Sequence, residues 1–154
     1  GALGGVYKLV EIEGRPKLKL TSDCAKTTFP GRKRLLRAFG QDGGMVQDLI
    51  CLEQDEPAAG DQIYDINHQR EKVVLPSGLT LHDLRQIVMR DGCRTAEPEP
   101  LFGLAERSRR QLAAVPEGCL RLHSPDHYSV CISKALHDLT TQLVAAATEG
   151  NRVP

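Results

Sequence analysis

The chain has 154 residues, room for one domain of ordinary size, and its 40% apolar and 26% charged residues read as globular and not as disordered. Lys plus Arg equals Asp plus Glu at 20 each, so no global field steers the chain to nucleic acid or a membrane surface, and 4% aromatics with no Trp give few stacking platforms for single strands. No apolar run approaches the roughly 18 residues of a membrane span, and no secretory signal is visible.

Gly1 to Gly5 is glycine-rich, but a dinucleotide fingerprint needs a strand ahead of it, so a linker is the better reading. The segment that follows puts Tyr7, Leu9 and Glu11 on one face and Val6, Lys8, Val10 and Ile12 on the other. This predicts a strand buried on much of both faces. A Gly14-Arg15-Pro16 turn leads to a half-solvated partner strand in which Leu18 and Leu20 alternate with Lys17 and Lys19. A Pro30-Gly31 turn then carries Arg32, Lys33, Arg34 and Arg37. Arg34 to Phe39 reads as a third strand, Gln41-Asp42-Gly43-Gly44 as a turn, and Met45 to Glu53 as a fourth strand antiparallel to the third.

Gln62 to Ile66 and Lys72 to Leu75 read as short strands, the second ended by Pro76-Ser77-Gly78. Leu79 to Arg90 suits a helix or a strand; the Asp91-Gly92 pair, a strong hairpin signal, selects the strand. Beyond Pro98 and Pro100, Leu101, Leu104, Ala105, Ser108, Leu112 and Val115 recur at helical spacing, until Pro116 and Gly118 stop the helix. His127 to Ile132 is a strand with Tyr128, Val130 and Ile132 on one face. Ser133 can cap a last helix whose stripe is Leu136, Leu139, Leu143, Val144 and Ala147, with Gly150 at its end. The expected fold is α+β: mainly antiparallel strands and hairpins in the first two thirds, and two packed helices in the last third. Residues 1–150 form one domain and 151–154 a frayed tail.

The chemistry-bearing residues are sparse. The cations around Pro30-Gly31 could hold a phosphate, or they could be a solvated edge that discourages strand pairing; no Walker loop is present. Lys8, a charge in a mainly apolar segment, is paired, at an edge, or aimed at a ligand. His123 and His127 have metal-ligand spacing, but Pro125 breaks any helix between them, so boundary histidines are the better reading. His68, His82 and His137 have no such partner. The five cysteines, Cys24, Cys51, Cys93, Cys119 and Cys131, are odd in number and include no C-x-x-C pair, so they read as reduced cytoplasmic thiols. Asn67 and Asn151 lie outside glycosylation sequons, which agrees. Ser108 has no visible base partner. The reading assigns no catalytic, substrate-binding or metal residue to this chain.

The stretch LGGVYKLVEIEGRPKLKL, followed by K-T-T-F-P-G-R-K-R-L-L-R, resembles the segment after the catalytic barrel of nicotinate phosphoribosyltransferase. The resemblance continues through L-R-Q-I-V-M-R-D-G, L-A-E-R-S-R-R-Q-L and S-P-D-H-Y-S-V-C-I-S-K-A-L, and it covers only the C-terminal portion of that family. It implies an enzyme that joins nicotinate to phosphoribosyl pyrophosphate, giving nicotinate mononucleotide and pyrophosphate, the first step from nicotinate toward NAD. It also implies coupling to ATP hydrolysis through a phosphorylated histidine (ligase class), with Mg accompanying ATP, in a cytoplasmic homodimer. The residues for that chemistry would lie upstream of Gly1, so this segment alone would be inactive and bind none of these ligands. The first residue is Gly and not Met, which suits a fragment or a processed product. The competing reading is a stand-alone, non-enzymatic interaction or anion-binding module.

Overall fold

The computed structural model describes residues 7–21, 28–66 and 71–150. The chain opens with a small hairpin, β1 (Glu11–Ile12) and β2 (Arg15–Pro16). Its turn residues are Glu13 and Gly14, at φ 49° and 73°, the left-handed pair that a tight hairpin uses. The turn thus falls one residue earlier than Gly14-Arg15-Pro16 suggests. The first segment is not a strand buried on both faces: Tyr7 is fully exposed and Leu9 62% exposed, and only Glu11 and Ile12 pair. Residues 17–20, the expected partner strand, run without a ladder. Alternation alone invited both readings, because it cannot show whether an element covers the apolar side chains.

The central ladder is β3 (Lys33–Phe39) against β4 (Met45–Leu52), antiparallel as expected, with Leu36 opposite Leu49 and Arg37 opposite Asp48. The turn between them closes through Asp42, whose Oδ1 accepts from Gly44 N at 3.0 Å, and through Gly43 at φ 79°. β5 (Gln62–Asp65), β6 (Lys72–Val74) and β7 (Thr80–Asp83) follow. The expected strand over Leu79 to Arg90 is split. Asp83 Oδ1 accepts from Arg85 N at 2.9 Å, a local bond that competes with the ladder and turns the chain away after Asp83. Pairing resumes only in β8 (Met89–Arg90) and β9 (Cys93–Arg94), across the Asp91-Gly92 turn.

Helix α1 (Leu101–Ala113), a short 3-10 helix (Glu117–Leu120), β10 (Ser129–Ser133) and α2 (Lys134–Gly150) complete the order. β10 enters the middle of the sheet, so the order is β6-β5-β10-β4-β3-β7. It lies antiparallel to β5 but parallel to β4. The long connection through α1 permits a parallel neighbour, which a hairpin could not supply.

One sheet face carries Leu36, Leu49, Cys51, Ile63 and Cys131, closed over by Leu75 with Leu79 and Leu81. The other face carries Leu52 and Ile132, which pack on Leu136 of α2 together with Ile50, Tyr64 and Leu139. Ser133 caps α2 as expected: its Oγ accepts from Leu136 N at 3.2 Å and donates to Asp55 Oδ2 at 2.6 Å. The α+β reading holds, with one difference in packing. α2 covers the sheet, whereas α1 has no buried residue, and Leu101 and Phe102 at its start are exposed. α1 bonds to the sheet at its C-terminal end, where Met45 N donates to Ala114 O at 2.7 Å. The expectations for Gly1 to Gly5, Val6, Cys24, Asn67, His68 and the 151–154 tail fall outside the described residues.

Candidate functional surface

The cations of the basic turn are drawn into the fold. Gly31, at φ 75°, sits where an added Cβ would lie 3.2 Å from Leu52, so the turn presses onto the α2 side of the sheet. Its charges then have nearby acceptors. Lys33 Nζ donates to Phe29 O at 2.8 Å and Gly31 O at 2.5 Å, and burial lowers its pKa from the usual lysine range despite the opposing pull of Glu11. Arg32 Nε lies 3.1 Å from Glu11 Oε1. Arg34 donates to Asp55 O and reaches Glu56 at 3.3 Å. The turn is neither a free phosphate cradle nor a simply solvated edge; it ties the β1–β2 hairpin and the 53–56 loop to the sheet.

Arg37 belongs to a tighter cluster. Its Nε and Nη2 each donate at 2.8 Å to the two oxygens of Asp48, a fork-to-fork pair directly across the ladder. Tyr128 Oη donates to Asp48 Oδ1 at 2.9 Å. Asp48 is buried, and these three bonds replace the water it loses. Burial, and then the Asp48 carboxylate, push the Tyr128 hydroxyl well above the usual tyrosine range; the same carboxylate raises Arg37. The cluster pins β3, β4 and the segment before β10 at the floor of a cleft of about 340 Å³, which Ser108, Gln111 and Leu112 of α1 wall on the other side. Sequence reading missed Asp48 and Tyr128 as partners. The available signal was a lone carboxylate in the apolar run MVQDLICL, which demands a buried partner, and Arg37 sits at the matching position of a tight hairpin.

The remaining candidates are scattered. Lys8 is exposed and shares an open cleft of about 400 Å³ with Lys17 and Lys19, a concentration of positive charge that an anion could meet. His123 and His127 are exposed, and among the described residues no three His, Cys, Asp or Glu side chains are grouped to hold a metal ion. Cys51 and Cys131 are buried thiols, and that burial raises the pKa of both; Cys93 is exposed. No helix among the described residues is long and apolar enough to cross a membrane.

The sequence pattern of the family described as nicotinate phosphoribosyltransferase C-terminal domain matches residues 32–140. Nicotinate phosphoribosyltransferase of Dictyostelium discoideum is 34% identical over 146 residues, which cover 89% of this chain and 25% of that protein. The Homo sapiens protein of the same name is 35% identical over 150 residues, covering 94% of this chain and 27% of the relative. The crystal structure of human nicotinic acid phosphoribosyltransferase superposes with a TM-score of 0.71 at 30% identity, over 93% of this chain and 27% of that one. The chain therefore spans about a quarter of the length of the curated relatives it matches. With the domain pattern matched over most of its length, and the fold reproduced in a solved relative, the chain belongs to the nicotinate phosphoribosyltransferase family, as its C-terminal domain.

Proposed function

We propose that this domain completes an enzyme that transfers a phosphoribosyl group to nicotinate. Nicotinate displaces pyrophosphate from phosphoribosyl pyrophosphate, and nicotinate mononucleotide forms; the step is coupled to hydrolysis of ATP to ADP and phosphate. The observation that carries this reading is the match to the C-terminal domain pattern across 32–140. The transferase, its ATP and accompanying Mg, a homodimeric assembly and a cytoplasmic setting all belong to the intact protein in this proposal.

Within this chain the work is architectural. Arg32, Lys33, Arg34 and Arg37 spend their charge on Glu11, backbone carbonyls, Glu56 and Asp48. A leaving pyrophosphate needs pre-positioned cations whose charge is still available, so the groups that stabilise it are assigned to the upstream portion. The same pairing weakens the anion-binding alternative at the basic turn.

The test is reconstitution. The 154-residue chain, given nicotinate, phosphoribosyl pyrophosphate, ATP and Mg, should form no nicotinate mononucleotide, whereas the polypeptide that includes the upstream portion should form it. Turnover by the short chain that is abolished by a substitution within it would overturn the assignment.

A further inference from the structure

We infer that the outward face made by α1 and the β8–β9 hairpin is the seat on which the N-terminal remainder of the full polypeptide docks; the inference rests on the functional reading above. Three observations carry it. The first is that this face is apolar and uncovered: Val88 is 73% exposed, Leu101 79% and Phe102 86%, and Ile87 and Met89, on either side of Val88, are exposed as well. A cleft lined by residues 86–89 and Arg107 lies between the hairpin and the helix, and Glu99, in the segment that links the two, pairs with Arg107 at 3.2 Å. The second is that these elements are too small to stand unsupported. α1 has 13 residues, and isolated helices shorter than about 12–15 residues are marginal in water. A hairpin of two-residue strands is weaker still.

The third observation selects the occupant. The solved human relative reproduces 93% of this chain yet has a chain more than three times as long, since the match covers 27% of it. The unmatched share of this chain amounts to about 11 residues, fewer than the stretch from Ile87 to Phe102, so the likeness takes in at least part of this face. The domain is the C-terminal one of its family, which places the additional length ahead of it. An apolar patch bordered by the exposed Arg90, Arg94, Glu97 and Glu99 has the anatomy of an interface between parts of one chain: apolar centre, charged border.

The experiment uses the full polypeptide, with the photo-crosslinker benzoylphenylalanine placed at Phe102 and, in a second variant, at Met89. Nicotinate mononucleotide formation is measured on the same samples. The expected result is an intramolecular cross-link from both positions to peptides upstream of this chain, lost when Leu101→Asp and Val88→Asp are added. Cross-links to α1 of a second copy, or none in an active enzyme, would overturn the docking inference and leave the functional reading standing. Upstream cross-links in a protein that forms no nicotinate mononucleotide would support the docking and sink the functional reading. A natural polypeptide with no sequence ahead of this chain would overturn both.

Discussion

Leu136→Ala tests whether α2 is the anchor of the sheet. Leu136 is fully buried against Leu52 and Ile132, with Ile50 and Tyr64 beside them. The substitution removes three carbons, and at about 0.8 kcal/mol per buried methylene the transfer loss alone is about 2.4 kcal/mol. The neighbours sit on hydrogen-bonded strands that cannot readily collapse into the gap, so a cavity contribution places the total at about 3–4 kcal/mol, within the about 2–5 kcal/mol range of buried Leu→Ala changes. For a domain of this size that is a fall of about 6–16 °C in Tm. Leu139 is half-buried, so Leu139→Ala should cost less, and Leu143→Ala less again. Because the chain has no Trp, urea unfolding is best followed by far-UV circular dichroism, with the slope against urea compared between variants. A loss below about 0.5 kcal/mol for Leu136→Ala, the range of ordinary surface substitutions, would show that α2 does not hold the sheet and would refute the assignment of the core.

Tyr128 gives a pH prediction. Its folded-state pKa lies above the unfolded value of about 10, because burial and Asp48 favour the neutral hydroxyl. The stability it contributes is whole below about pH 10 and is lost as pH climbs toward the folded value. Tyr128→Phe should flatten that alkaline decline, measured by urea midpoints between pH 8 and 11, while costing about 0.5–1.5 kcal/mol at pH 7 for one hydrogen bond; an unchanged alkaline slope would contradict the geometry. Among the cysteines of the described residues, thiol titration should find Cys93 reacting first and Cys51 and Cys131 reacting only on unfolding; the whole chain should give five thiols under denaturing conditions, and three or fewer would reveal a disulfide. Arg32→Ala with Lys33→Ala in the full enzyme should lower thermal stability and move the KM values for both substrates together. A rise confined to phosphoribosyl pyrophosphate, weakening as salt increases, would return the turn to a phosphate-binding role.

Several features of the molecule were legible in the residues alone. Alternation in Arg34 to Phe39 and Met45 to Leu52, with a turn chemistry that permits left-handed backbone, set the central hairpin. Asp91-Gly92 set β8–β9, and Ser133 set the start of α2, because caps and tight turns depend on bonds between near neighbours. The order of four sequence pieces carried the family. The parallel placement of β10 between β4 and β5 was decided in three dimensions, since a period of two is the same whichever way a strand runs. Burial of Asp48 with Arg37 and Tyr128 was decided there too, because Tyr128 is 80 positions from Asp48 along the chain. The same holds for the exposure of Tyr7, Leu9, Leu101 and Phe102. Periodicity marks which side of an element is apolar, but only the positions of the other elements determine whether anything in this chain covers it.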